Sequence, residues 1–244
     1  MDTASRQKTK RPRPDLRRDA VARGLAAVGA CLLIGVCVLC ARWGLADQFA
    51  EGATARLFAL QDRASRTGEA ADARDARAIG DVLTLAQRYD PRNPTTAELL
   101  GSLFALNVRD GDAGGTVRSQ RAKALEQYSI AVALRPTSPY SWASLAWTKY
   151  YLGQVDAEFY RALGNAMRLG PWEPEVQFVV VDLGLALWDE LPAELRPEIL
   201  TMARNGQRRY AAQIMTIAQK RGRLAEVCKF EKLTAMPACK AVSG

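Results

Sequence analysis

Apolar residues recur at helical spacing along most of the chain, and prolines interrupt the pattern at intervals. Between Ala124 and Trp147, apolar side chains recur at steps of three and four residues, with Pro136 and Pro139 in the middle. Such steps place side chains on one face of an α-helix, and a proline ends a helix because its ring clashes with the preceding turn. The segment therefore predicts the end of one helix and the beginning of the next.

The same arrangement returns elsewhere in the chain. Three helices of this kind are predicted. Each has small and large apolar residues at fixed steps and is followed by a proline. Its members are Ile79, Leu83, Ala86 and Pro91, then Ala124, Tyr128, Ala131 and Pro136, then Leu163, Ala166 and Pro171. Partner helices are indicated by Leu100, Gly101 and Phe104 and by Trp142, Leu145 and Ala146. This spacing resembles the tetratricopeptide repeat, in which small residues lie where two antiparallel helices touch.

The resemblance to that repeat implies the fold. Residues 79–244 are expected to form a tetratricopeptide-like α-solenoid of helix pairs with C-terminal capping helices, and the fold class is all-α. The segment Arg109–Ser119 is interpreted as an insertion between two helices. Glu175–Trp188 is expected to be a helix, although Val179–Val181 favour β structure. The expected terminal helices are Leu195–Gln207, Tyr210–Gly222 and Arg223–Leu233.

An uncharged apolar run, Gly24 to Ala41, predicts a transmembrane helix. At 1.5 Å per residue it covers about 27 Å of hydrocarbon, and Arg42 and Trp43 suit the interface, so the span is assigned to residues 24–46. Residues 1–23 carry eight Lys and Arg against three Asp. The positive-inside rule therefore predicts a cytoplasmic tail at 1–23 and a periplasmic domain, in a single-pass protein of a bacterial inner membrane. A cleavable signal peptide, with small residues at Gly44–Ala46, is the alternative.

The segment from 47 to 78 is expected to be a juxtamembrane helix and linker, polar and of mixed charge near its end. Residues 1–23 account for +5 of the net charge of +8, so the rest of the chain is close to neutral for its length, which does not indicate a nucleic-acid partner. Cys228 and Cys239 would form a disulfide in an oxidising compartment, with two free buried thiols as the alternative.

No residue pattern indicates catalysis. The chain has no histidine, the commonest general base and metal ligand, and no glycine-rich loop followed by lysine. We therefore expect a protein that is not an enzyme, with no catalytic residue, no metal site and no cofactor.

The repeat pattern does predict a binding groove. The helix positions that line the concave face in tetratricopeptide proteins carry four aromatic residues in the central unit and acidic or aromatic residues in its neighbours. These candidates are Tyr140, Trp147, Tyr150, Tyr151, Glu98, Glu175, Phe178 and Asp182. Aromatic faces with nearby acceptors suit a peptide segment or a sugar chain. The alternative is that a terminal helix folds back and buries the aromatic residues, and that Asp182 faces solvent or forms a salt bridge.

The segments "RALGNAMRLGPWEPEVQ" and "LGLALWDELP" resemble small single-span proteins encoded with bacterial exopolysaccharide synthesis and export machinery. The resemblance covers about a third of the chain, and "GPWEP" is its most specific part. It implies a scaffold whose partners are protein components of a membrane polysaccharide-synthesis complex, or the glycan itself. The alternative is a periplasmic chaperone or assembly factor that holds clients near the translocon.

Overall fold

A computed structural model describes residues 16–106, 108–109, 113–229 and 239 of the chain. Within these ranges the fold is all-α, apart from a two-residue parallel pairing of β1 (Ala71–Asp72) with β2 (Val108–Arg109). Most of the predicted basic tail lies outside the described residues, as does the end of the helix expected at Arg223–Leu233. The chain divides into two compact units, Met1–Leu45 and Ala46–Gly244.

The described part of the first unit belongs to helix α1 (Leu16–Thr67). Its large apolar side chains, including Leu32, Leu33 and Ile34, are exposed. Among the described residues this is the one helix long and apolar enough to cross a membrane. A surface of this kind is unfavourable in water and favourable in hydrocarbon, consistent with a single-pass membrane protein.

In the second unit, α1 continues to Thr67 and gains a buried face. Ala50, Ala53, Leu57 and Leu60 are buried at steps of three and four residues. They join a hydrophobic cluster with residues of the next two helices, α2 (Ala73–Tyr89) and α3 (Pro94–Ala105). This regular burial explains why the helix does not end where the apolar run ends.

The remaining helices follow one another through short turns. They are α4 (Ala113–Leu134), α5 (Pro139–Tyr151), α6 (Ala157–Leu169), α7 (Pro174–Ala186), α8 (Arg196–Lys220) and α9 (Leu224–Val227). Consecutive helices pack as α3 on α4, α5 on α6 and α7 on α8. The second core cluster lies among α4 to α9 and includes the predicted positions Leu145, Ala146, Leu163 and Ala166, all fully buried.

Three of the turns are alike. Each contains the order Pro-x-x-Pro, at Pro91–Pro94, Pro136–Pro139 and Pro171–Pro174, and the second proline begins the next helix. In each turn a backbone N–H bonds the carbonyl oxygen three residues back: Asn93 to Asp90, Ser138 to Arg135, and Glu173 to Gly170. Proline at the first helical position fixes φ where no N–H is needed. Asn93 and Ser138 also cap α3 and α5 with their side chains.

Glycines allow two of the helix pairs to approach closely. A Cβ added to Gly101 of α3 would lie 2.7 Å from the ring of Tyr128 in α4. A Cβ added to Gly184 of α7 would lie 2.6 Å from Ile199 in α8. Glycine is therefore required at these two contacts, because a larger residue would overlap the neighbouring helix.

The structure corrects one detail of the sequence-based expectations and confirms two others. Helix α4 begins at Ala113, so much of Arg109–Ser119 is helix rather than insertion; good helix formers such as Arg118 and Gln120 continue the pattern of α4 upstream. The helix expected at Glu175–Trp188 is confirmed as α7 (Pro174–Ala186), and Val179–Val181 lie within it. The two helices expected at 195–207 and 210–222 are the two halves of α8, which meet at a kink at Tyr210 (φ −129°, ψ 36°).

Candidate functional site

Three aromatic side chains near the end of α5 lie in direct contact. The ring centroids of Trp147 and Tyr151 are 4.3 Å apart, and those of Tyr150 and Tyr151 are 5.2 Å apart in an edge-to-face arrangement. Steps of three and four residues bring these side chains together on one side of the helix. We refer to Trp147, Tyr150 and Tyr151 as the aromatic patch. Tyr151 is 36% exposed, whereas Trp147 and Tyr150 are half-buried.

Two arginines from other helices reach the aromatic patch. The guanidinium of Arg121 in α4 lies 5.2 Å from the ring centroid of Tyr151, and that of Arg221, directly after α8, lies 6.0 Å from that of Tyr150. Both distances suit a cation–π interaction. The patch therefore combines aromatic faces with positive charge.

Arg221 is held in place by Asp182 of α7. Its Nε and Nη2 donate hydrogen bonds of 2.8 and 2.6 Å to the two carboxylate oxygens of Asp182. These hydrogen bonds are the main reason why the pKa of Arg221 is raised, and the negative charge of Asp182 adds to them, against partial burial. Asp182 is thus salt-bridged, and it acts on the patch by orienting Arg221 rather than by facing a ligand.

Glu98 is engaged within the fold. Its carboxylate accepts hydrogen bonds from Arg135 at 3.0 Å, from Ser138 at 2.9 Å, and from Ser141. These contacts tie α3 to the turn between α4 and α5. The carboxylate of Glu98 is therefore hydrogen-bonded to these three residues, none of which belongs to the aromatic patch.

Tyr140 lies at the other end of α5 from the aromatic patch, about 10 Å along the axis from Trp147. Its hydroxyl donates a hydrogen bond to Glu173 in the turn before α7. That bond is the main cause that raises the pKa of Tyr140 to about 12, with smaller effects of burial and of the charges of Glu173 and Glu175. Glu175 itself is exposed.

Phe178 packs edge-to-face on Tyr210 at the kink of α8, with ring centroids 5.5 Å apart. The predicted groove residues thus fall into four sets of contacts. The aromatic patch with Asp182 is one, Glu98 with its three partners is the second, Tyr140 with the acidic residues near α7 is the third, and Phe178 with Tyr210 is the fourth.

The two cations beside the aromatic patch were not predicted. Arg121 lies in α4 and Arg221 directly after α8, outside the predicted groove positions, and no pattern in their own segments distinguishes them from other surface arginines. Lys149, also missed, is buried between the carboxylates of Asp156 and Glu158, with N–O distances of 3.0 and 2.8 Å. Burial lowers the pKa of Lys149, but the two carboxylates outweigh it, and the net pKa is raised. Lys149 therefore fixes the turn between α5 and α6.

The cysteines beyond α1 are joined. Cys228, which follows α9, and Cys239 form a disulfide with a Cα–Cα distance of 5.5 Å, and both are buried. Cys31, Cys37 and Cys40 lie exposed on α1.

A cleft lies between the end of α1 and the start of α2, apart from the predicted groove residues. Arg63, Asp72, Arg74 and Arg77 are among its lining residues. Asp72 caps α2 by accepting from the backbone N–H groups of Arg74 and Asp75, and Arg63 lies 3.8 Å from Asp75. The pair of Arg63 with Asp75 therefore joins the two helices beside this cleft.

No protein-family model matches the chain, and no curated protein or solved structure matches it. The candidate site thus rests on geometry alone. An exposed phenol ring, two half-buried aromatic rings and two guanidinium groups are suited to bind a ligand, because they present flat apolar faces and hydrogen-bond donors.

Proposed function

We propose that this protein is a membrane-anchored binding and scaffold protein, and that the aromatic patch recognises a protein partner. The observation that carries the proposal is the exposed ring of Tyr151, which contacts both Trp147 and the guanidinium of Arg121. Tyrosine, tryptophan and arginine are the residues most enriched among those that dominate binding energy at protein interfaces. Asp182 holds Arg221 in position before a partner binds, which lowers the conformational entropy lost on binding.

The domain that carries the patch is proposed to be a tetratricopeptide-like α-solenoid. The three equivalent Pro-x-x-Pro turns support this, as do the close approaches at Gly101 and Gly184. Solenoids of helix pairs use extended surfaces for recognition, so the fold and the patch favour the same class of function.

We further propose that α1 anchors this domain in a bacterial inner membrane, with the basic tail in the cytoplasm and the repeat domain in the periplasm. The excess of Lys and Arg before the apolar run supports this orientation, and the Cys228–Cys239 disulfide suits an oxidising compartment. A reporter enzyme that is active only in the periplasm, fused after Gly244, is expected to be active. If the reporter were active only when fused before Met1, the orientation in the membrane would be the opposite of the one proposed.

The biological setting proposed for this scaffold is exopolysaccharide synthesis or export. The support is the sequence resemblance around "GPWEP". The partner would be a protein component of the membrane complex that assembles or exports the polymer. The second candidate, a periplasmic chaperone or assembly factor, would use the same patch for many unfolded clients.

Site-specific photocrosslinking in native membranes tests the proposal. A photoreactive residue placed at Tyr151 should give one or a few discrete adducts that mass spectrometry assigns to polysaccharide-assembly proteins. The same residue at Phe58, an exposed aromatic position on α1, is the control. Many adducts of unrelated envelope proteins would favour the chaperone, and identical adducts from both positions would contradict recognition at the aromatic patch.

A further inference from the structure

The turn between α6 and α7 holds an exposed tryptophan on a rigid backbone. Trp172 is 61% exposed. The carbonyl oxygen of the preceding residue, Pro171, accepts two side-chain hydrogen bonds, 2.8 Å from Gln177 and 3.2 Å from Asn205. Gln177 is buried, so the turn is fixed to both α7 and α8.

The same turn is also fixed to α5. A Cβ added to Gly170 would lie 2.7 Å from Pro139, so the backbone there is in close contact with the start of α5. The neighbouring Glu173 accepts the hydrogen bond from Tyr140. Two prolines restrict φ on either side of Trp172 and Glu173. The indole is thus presented by a backbone that is held from three helices.

The Pro-x-x-Pro turn itself does not require an aromatic residue at this position. The equivalent residues in the two other Pro-x-x-Pro turns are Arg92 and Thr137, which are exposed and polar. The exposed tryptophan of the third turn therefore has no counterpart in the two other Pro-x-x-Pro turns. A large apolar ring kept in water by a rigid turn is characteristic of a binding surface.

The surroundings of Trp172 indicate what would bind. Carboxylates are supplied by Glu173 and Glu175, and Tyr140, which is 43% exposed, adds a second aromatic ring. The rim therefore combines two aromatic rings with the carboxylates of Glu173 and Glu175.

We propose that Trp172 and Tyr140 form the platform of a glycan-binding site. A sugar ring has an apolar face of C–H groups that packs on an aromatic ring, and its hydroxyl groups donate hydrogen bonds to carboxylates. The carboxylates at the rim disfavour a polyanion, and the hydrogen bond from Tyr140 already engages Glu173, which weakens the attraction for a polycation. A rigid turn also loses little conformational freedom on binding. This site is separate from the aromatic patch, and it stands whether or not that patch binds a protein.

The test uses the full chain in lipid nanodiscs, titrated with hexasaccharides of glucose, mannose, galactose and N-acetylglucosamine. At least one is expected to bind saturably and to shift the indole N–H resonance of Trp172 in NMR spectra. Trp172→Ala should weaken that binding at least about tenfold, which corresponds to about 1.4 kcal/mol, and Trp172→Phe should weaken it less. Because Trp172 is exposed, the melting temperature should stay close to that of the unmodified chain.

Two matched variants keep this proposal distinct from the proposed function. Phe58→Ala removes another exposed aromatic side chain, and Tyr151→Ala alters the aromatic patch; both should leave sugar binding unchanged. The glycan site is contradicted if no hexasaccharide binds, or if binding persists unchanged in Trp172→Ala. Binding of oligolysine through Trp172 in place of any sugar would also contradict it.

Discussion

Arg221 and Asp182 form a two-point ion pair that joins the end of α8 to the middle of α7 beside the aromatic patch, with N–O distances of 2.8 and 2.6 Å. Both side chains are 18% exposed. Since a two-point pair fixes the plane of the guanidinium as well as its position, this pair determines how Arg221 meets the ring of Tyr150.

Asp182→Asn should therefore destabilise the domain. The substitution keeps the shape of the side chain but leaves Arg221 without its charged acceptor, and we expect the free energy of unfolding to fall by about 1–3 kcal/mol. Asp189→Asn is the control, because Asp189 also pairs with an arginine, Arg223, but is 76% exposed. There the change should be at most about 1 kcal/mol. Equal effects in urea unfolding would show that the Asp182 pair has no special role.

Close packing of α7 on α8 predicts that Gly184 does not tolerate a methyl group. Gly184→Ala should lower the free energy of unfolding by about 1–3 kcal/mol, because the new Cβ would overlap Ile199. Gly164→Ala, in the interior of α6 with open space around it, should be neutral or stabilising by about 0.5–1 kcal/mol. Thermal unfolding of both variants measures the difference. A stable Gly184→Ala protein would mean that the two helices are farther apart than described.

The buried faces of the helices and the Arg221–Asp182 ion pair differ in how well the sequence predicts them. Small residues at helical spacing can be recognised because their period reflects one buried face, so Leu145, Ala146, Leu163 and Ala166 were predicted as core and are buried. Proline likewise marks helix starts through its own geometry. The partner of Asp182 could not be predicted, since it lies 39 residues away in sequence and depends on how α8 packs. The hydrogen bond of Tyr140 to Glu173 could not be predicted for the same reason, because a shared helix face does not determine which neighbours each end of the helix contacts.

Because Tyr140 donates a hydrogen bond to Glu173, its phenol should lose its proton at a higher pH than an ordinary tyrosine. The phenol should lose its proton with a pKa of about 12, because ionisation breaks this bond and places a negative charge beside a carboxylate. Its contribution to stability is then complete below pH 10, the ordinary pKa of tyrosine, and disappears as the pH rises through about 12. NMR of 13C-labelled tyrosine rings measures this directly.

Glu173→Gln should move the titration of Tyr140 back toward pH 10, while buried Tyr128, whose pKa is raised mainly by burial, should be unaffected. If Glu173→Gln leaves every tyrosine unchanged, the hydrogen bond is absent in solution.

The disulfide provides a test of compartment as well as of stability. In protein isolated from membranes under non-reducing conditions, peptide mapping should find Cys228 linked to Cys239. Reduction should lower the free energy of unfolding by about 2–4 kcal/mol, as is typical of native disulfides. Alkylation of both thiols in unreduced protein would contradict both the bond and the proposed oxidising compartment.

The central claim is that Tyr151 acts in recognition and not in folding, and one paired measurement tests it most directly. Trp147→Ala is less suitable, because this half-buried ring packs on the core and its loss is expected to cost about 3–5 kcal/mol. Tyr151→Ala should change the free energy of unfolding by less than about 1 kcal/mol. A host strain lacking the protein is complemented with Tyr151→Ala or with Phe58→Ala, and exopolysaccharide output is measured beside the melting temperature of each purified variant. We predict that Phe58→Ala restores output, whereas Tyr151→Ala is equally stable but leaves output at the level of the deletion strain. Full restoration by Tyr151→Ala, or a large drop in its melting temperature, would contradict the claim.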